Sequence, residues 1–428
     1  MRVKIFILLC VFVLASLMLA VSTHFFGDAG NSSAPLSHSV YVWQRQWNES
    51  VVQGIADIAG KVDGYCLLAA EVSWDGEVPQ VVKVNYDVGA LTNIDKRVAL
   101  AVRIGPYTGS FSPEARAVAE LSTVVLEVLW QAEQRGVAVS ELQLDFDCAE
   151  SKLDGYRQLV ESIRKVTGDT PLTITVLPCW LKRRAFKKLV RITDGYVLQV
   201  HSLERPRSVS EPLLLCDISK CDAWVRQAAA IGVPFTVALP TYGYYVAFDQ
   251  AGHFLGLSAE GRLRAWGKGT VVKRVNSDPY EIAALVDRWR KVHPVSMRGV
   301  SWYRLPVKDD RLNWTLPTLI SVIDGVFRSK LVCAVVESQG DGLVDVVLIN
   351  GCGNDAPPPE RLVVRWSGDV QLVARDGLNG YSCVMQDGSS LNLVANDETR
   401  MRFLSPAERC CVGWLKFDSI TEVKVEIF

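Results

Sequence analysis

Leu142-Gln143-Leu144-Asp145-Phe146-Asp147 alternates apolar and polar side chains with a period of two. That period belongs to a β-strand and puts Asp145 and Asp147 on one face, Leu142 and Leu144 on the other. Apolar runs of similar length flank it along the chain: Val40–Gln46, Tyr65–Ser73, Arg97–Ile104, Leu172–Pro178, Gly195–His201, Phe235–Tyr242 and Arg298–Arg304. With Glu141–Asp147 they make eight strands separated by helical patterns. This order predicts an α/β fold, a closed parallel (β/α)8 TIM-like barrel over residues 40–328. In such a barrel functional groups come from the C-terminal strand ends, so both aspartates point into the mouth.

The helix signals between the strands agree. Ser112-Pro113-Glu114 supplies an N-cap, a proline at the first helical position and an early acid, and Gly136 stops the helix. Ser151 and Asp154 form a start like a capping box, and Asp278-Pro279 opens another helix. Two stretches break the alternation. Val81–Tyr86 is predicted to be an extra extended piece, and the segment 244–277 is predicted to be an insertion over the mouth. Beyond Leu331 the pattern turns to short strands, Val344–Ile349, Leu362–Trp366, Val370–Val373, Leu391–Val394 and Val423–Ile427, separated by Gly, Asn, Asp and Pro. Residues 331–428 are therefore expected to form a β-sandwich-like accessory domain.

A chain of 428 residues, 49% apolar and 22% charged, is long enough for a barrel of about 250–300 residues plus a module of about 100. A net charge of −1 creates no global field for nucleic acid or anionic lipid, so none is expected as a partner and function must reside in a local site. Arg2 and Lys4 precede an unbroken apolar run from Ile5 to Val21, the pattern of an export signal within residues 1–22, followed by a Gly/Ser/Asn/Pro-rich linker over 23–39. The expected location is periplasmic or extracellular. If residues 5–21 stay uncleaved they anchor the chain to the inner membrane. Ten of the eleven cysteines follow Cys10, which suits an oxidising compartment. Cys216 and Cys221 close a short loop and could pair. Cys66, Cys148 and Cys179 fall in or beside strands and are expected as buried thiols. No metal-ligand spacing occurs, and no cofactor is implied.

Two carboxylates side by side repel, so one pKa should rise and leave an acid next to a base. The competing reading of Asp145 and Asp147 is structural: a helix cap, or a pair with Arg103. Aromatic and polar residues collect at the other strand ends: Trp43, Arg45 and Trp47; Glu71 and Trp74; Trp180; Gln199 and His201; Tyr242; Trp302. Tryptophan faces stack on sugar rings, or they fill a barrel. His201 could be a general base or a hydrogen-bonded core histidine. Glu71 and Glu150 are either acids for the same chemistry or surface charges. The basic run from Lys182 to Arg191 fits the solvated face of a helix.

Leu144-Asp145-Phe146-Asp147, Leu239-Pro240-Thr241-Tyr242-Gly243 and Gly299-Val300-Ser301-Trp302 resemble, in order and spacing, three landmarks of chitinase-like glycoside hydrolases of family 18. The opening Val40-Tyr41-Val42-Trp43-Gln44-Arg45-Gln46-Trp47 and the stretch Leu144–Cys148 also resemble an exported bacterial family catalogued only as a domain of unknown function. The first resemblance implies a poly- or oligosaccharide ligand, with Asp145 and Asp147 at the reacting centre and Trp302 as the floor under the sugar. The pattern departs where that family keeps its catalytic Glu: the position is Ala149, with Glu150 one residue later. The sixth-strand landmark falls on Gln199-Val200-His201-Ser202, without its Tyr. The expected function is thus a glycoside hydrolase using Asp147, Asp145 and a partner from Glu150, Glu71 or His201. The alternative is a non-catalytic glycan-binding or envelope scaffold protein on the same barrel.

Overall fold

The computed structural model describes residues 30–76, 78–92, 94–202, 206–258, 266–327, 331–367, 369–400 and 402–428. The proposed export segment, residues 1–22, lies outside the described residues. Eight parallel strands close on themselves: β1 Ser37–Val42, β2 Gly64–Asp75, β3 Arg97–Ile104, β4 Val139–Phe146, β5 Leu172–Val176, β6 Gly195–Gln199, β7 Phe235–Pro240 and β8 Met297–Tyr303. The chain is in its first barrel strand three residues before the expected boundary at 40. Asn31–Ser32, inside the expected linker, already pair with His293–Pro294.

Two apolar layers hold the barrel. The outer one buries Leu142, Leu144 and Phe146 of β4 and Val300 and Trp302 of β8 against the surrounding helices. The inner one is small and aromatic: Tyr41, Trp43, Cys66, Leu68, Ala101, Val197 and Ala238, with Tyr303 against it. The helices are placed by local chemistry. The Asn48 side chain accepts from Val51 N–H to cap Glu49–Ile58. Asp278 caps Pro279–Lys291 through Tyr280 and Glu281 N–H, and Gly325 ends Leu316–Asp324 at φ 68°. Two expected starts differ. The helix after Ser112-Pro113 begins at Arg116, and Ser151 lies in a 3-10 turn, Glu150–Lys152, that leads into Leu153–Thr167 without a side-chain cap.

β2 runs on past the barrel wall, and Val78–Lys83 folds back on it antiparallel, the extra extended piece shifted three residues from its expected place. The insertion after β7 is a three-stranded antiparallel sheet of Gly243–Phe248, Phe254–Ser258 and Val271–Asn276. Residues 332–427 form two four-stranded antiparallel sheets around their own core of Val346, Leu348, Leu362, Val364, Leu391, Leu393, Leu415 and Phe417. A buried carboxylate clasps this unit to the barrel. Asp355 accepts from Thr315 N–H at 2.8 Å and from the Thr315 hydroxyl at 3.0 Å, while its own N–H donates to Thr318 Oγ1 at 2.7 Å.

Closure depends on the seam between β8 and β1, where Gly299 faces Ser37. A Cβ at Gly299 would run into the Ser37 carbonyl oxygen. Gly299→Val is therefore expected to prevent the seam from closing, with loss of soluble protein or a cost of about 3 kcal/mol or more. A melt within two degrees of wild type would contradict this account of the seam.

Candidate functional site

Strand register builds the mouth. Glu71 on β2 lies opposite Arg103 on β3, and Arg103 opposite Asp145 on β4. Arg103 Nη1 donates to Glu71 Oε1 at 3.3 Å, and Arg45, from the loop after β1, donates to the second oxygen at 2.5 Å. The Thr175 hydroxyl on β5 donates to Asp145 Oδ1 at 2.8 Å. Below it, Tyr41 donates to Gln143 Oε1 at 2.6 Å and Thr173 donates to Glu141. The inward face of β4 thus carries Glu141, Gln143, Asp145 and, at the top, Asp147. Asp147 is exposed at the rim and makes no hydrogen bond or ion pair to any described residue.

Burial raises the Asp145 pKa to about 6, and the Asp147 charge adds to the effect. The Thr175 hydroxyl and the Arg103 cation oppose it. Asp147 is also raised by desolvation, against Arg103: it touches solvent but sits in an enclosed recess. Burial works against the Arg103 cation, yet Tyr303, Asp145, Glu71 and Asp147 together hold its pKa above the ordinary value. Glu71 is thus held in ion pairs, and the Asp145–Asp147 pair is the part of the mouth able to exchange a proton near neutrality.

Beside the acids lies an aromatic nest centred on Tyr303. The rings of Tyr41, Trp43, His201 and Tyr242 have centroids 5.5, 5.4, 5.3 and 5.3 Å from it. His201 Nδ1 and the Tyr242 hydroxyl are 3.3 Å apart, and Tyr242 and Tyr244 share a hydrogen bond at 3.1 Å. Gln199 Nε2 donates to the His201 carbonyl at 3.3 Å. Burial lowers the His201 pKa to about 3, so the ring is neutral under ordinary conditions and a poor general base. Four buried polar atoms here have no partner among the described residues: the indole nitrogens of Trp43, Trp47 and Trp74, and His201 Nε2.

Of the residues selected from sequence, Arg45, Glu71, Arg103, Asp145 and Asp147 form the polar cluster, and Trp43, Gln199, His201 and Tyr242 the neighbouring nest. Three are elsewhere. Trp302 is fully buried in the outer layer, its indole N–H on His38 Nδ1 at 3.2 Å and its ring against Trp314, so it cannot be a sugar floor. Trp180 is equally buried among Tyr156 and Phe186. Glu150 turns to Arg183. Thr175 and Tyr303 were not selected, although the pattern Val300-Ser301-Trp302-Tyr303 held the cue. On β4 the apolar parity faces the helices, and the same rule on β8 sends Trp302 outward and Tyr303 inward. A cleft of about 1340 Å³ lies at another place, between the barrel and the C-terminal sheets, and the acidic pair does not line it. The buried carboxylates of that cleft are occupied by protein partners.

Residues 108–308 match the family described as Domain of unknown function (DUF3142). The matched segment carries β4 to β8 and both aspartates, while Arg45, Glu71 and Arg103 lie before it. No curated protein matches the chain. Among solved structures, the Bacillus cereus spore cortex-lytic enzyme SleL is similar at TM-score 0.48 and 13% identity, over 69% of this chain and 75% of that one. A chitinase from Chromobacterium violaceum is similar at 0.46 and 14%, over 69% and 100%. The GH18 chitinase ChiB of Flavobacterium johnsoniae gives 0.42 and 11%, over 68% and 94%.

All ten described cysteines are free thiols. Cys66 and Cys148 are buried, whereas Cys179 is exposed, contrary to expectation, because it sits in the turn above β5. Cys216 and Cys221 have sulfurs 3.8 Å apart, and Cys216 bridges to His201 in the backbone. Exchange with a disulfide oxidant should therefore join this pair before any other. Trypsin cuts between them after Lys220, so the bond would show as two linked peptides that separate on reduction.

Asp145 has a folded pKa above its ordinary value of 3.8, so its contribution to stability is present at low pH and lost as pH rises through about 6. Asp145→Asn copies the protonated acid. It should melt like wild type near pH 4 and higher than wild type near pH 8, by up to roughly 3 kcal/mol at 1.36 kcal/mol per unit. A lower melt near pH 8 would mean that the carboxylate charge is structural.

Proposed function

We propose that the barrel acts on a glycan, with Asp147 as the working carboxylate and Asp145 as the buried partner that governs its protonation. The observation that carries this reading is the pair itself: an enclosed acid with its pKa near 6 beneath a carboxylate that has no partner among the described residues. Such a pair holds one proton across the mildly acidic range. It can give that proton to a leaving oxygen and steady a developing positive charge with the other carboxylate. The nest supports a saccharide as the ligand. Tyr303, half-buried where the nest meets the acids, offers a ring to the apolar face of a sugar, and the buried rings around it hold that face in place.

A second reading, glycan binding without turnover, is favoured by one observation. Glu71 is held by two arginines and Glu150 by a third, so among the described residues neither is a free carboxylate to support the pair. The chain's organisation belongs to the same proposal: residues 40–328 as the working barrel, 331–428 as an accessory β-sandwich, and export by residues 1–22. Residues 31–32 pair just ahead of the start of β8, at the barrel floor. Among the described residues no helix is long and apolar enough to cross a membrane.

A glycan library scored for both binding and cleavage, with wild type and Asp147→Asn side by side, tests the proposal. Turnover is expected for wild type and should fall by about a hundredfold or more in Asp147→Asn, with the melting temperature held or raised. Removing the Asp147 charge also lowers the Asp145 pKa, so any residual activity should shift its pH profile to the acid side. Binding without cleavage, indifferent to Asp147→Asn, would establish the second reading. No binding of any glycan would end both.

A further inference from the structure

The cleft between the barrel and the C-terminal sheets opens beside the mouth. Its barrel side comes from the start of helix Glu49–Ile58, the loop 306–315 after β8 and the insertion sheet. Its other side comes from the turn Asn379-Gly380 and residues 396–408. Tyr242 belongs to both places. It lines the cleft, while its hydroxyl and ring stand in the nest with His201, Tyr244 and Tyr303.

We propose that this cleft is a second saccharide subsite, filled by the continuation of a chain whose reacting unit lies in the mouth. This rests on the glycan reading of the mouth. The volume, about 1340 Å³, exceeds the roughly 300–1000 Å³ of a pocket for one small molecule, so an oligomer is the natural occupant. Most of the cleft's acids are already engaged. Asp310 pairs with Arg304, Glu408 with Arg402, Asp355 bonds Thr315, and Asp57 accepts from Gln53. What remains is Glu49, Lys308 and Arg311, charges of both signs that can bond hydroxyls, together with amides and a half-buried aromatic on each wall, Tyr245 from the insertion and Phe403 from the C-terminal unit, a lining that suits a hydroxyl-rich ligand. One wall is set rigidly. Asn379 and Gly380 both take positive φ, 51° and 84°, as a tight two-residue turn requires, and Asn379 Nδ2 donates to the Cys411 carbonyl at 2.8 Å. The Asp355 clasp holds the two walls in one geometry, so little ordering is left for the ligand to impose.

The test uses the full chain and neutral oligosaccharide ladders, cello-, chito- and malto-oligosaccharides from dimer to octamer, measured by calorimetry. The expected result is an affinity that rises with length, a rise that Tyr245→Ala and Phe403→Ala each cut about tenfold for long chains while leaving the shortest binding chain unchanged. Melting curves taken alongside confirm folded variants, and Tyr245→Phe, which keeps the ring, should restore the long-chain affinity. If added units contribute nothing, or both Ala variants bind long chains as wild type does, the cleft proposal is overturned and the mouth reading stands. Equal loss for short and long chains overturns it too, by assigning those residues to the mouth. If no ladder binds, the glycan reading fails and takes the cleft with it.

Discussion

Inside a sheet that closes on itself, the inward side chains of β4 have no solvent to turn to, and three of the four are Glu141, Gln143 and Asp145. Each must find its partner on another strand, beside it or across the barrel, because an unpaired polar group in such an interior costs on the order of 1–3 kcal/mol. Thr173 meets Glu141, Tyr41 meets Gln143 and Thr175 meets Asp145. The barrel's interior chemistry is organised around serving this strand. What the hydroxyls do not settle, protonation does: Asp145 accommodates its burial by holding a proton to about pH 6.

Moving up the strand, the same parity changes meaning. Asp147 emerges where β4 ends and meets the rim, without a hydrogen-bond partner among the described residues but still within the field of Arg103. Arg103 therefore links two demands. It neutralises Glu71 through register on one side and tempers the acidic pair on the other. Around it, the rings on Tyr303 replace the branched aliphatic packing usual in a barrel centre, which leaves the mouth aromatic and its indole donors unspent. Tyr242 extends that surface toward the cleft, and Asp355 fixes the far wall of the cleft against the barrel.

Much of the fold was legible because each strand carries its own periodicity and its own boundaries. All eight barrel strands lie where the apolar runs put them, and Asp278-Pro279 begins a helix as short-range chemistry requires. The site was legible only in part. Asp145 and Asp147 declared themselves through alternation on a single strand. Trp302 and Trp180 did not disclose that they face the helices, since a tryptophan near a strand end looks the same whichever side it takes. Reading β8 with the parity rule that β4 obeys would have exchanged Trp302 for Tyr303. Nothing local marks Thr175, whose role exists only because β5 lies next to β4.

The sequence by itself determined the strands, their order, the change of pattern near residue 331 and the pairing of two acids on one face, because these follow from near-neighbour chemistry and period. Tertiary structure alone decided which carboxylates are free. Glu71 is held by Arg45, 26 positions before it, and by Arg103, 32 after, and Glu150 by Arg183, 33 positions away. It also decided that Asp147 reaches solvent at the rim while Asp145 below it is held by the Thr175 hydroxyl. Burial and charge pairing depend on distances across strands, and those distances exist only once the sheet has closed.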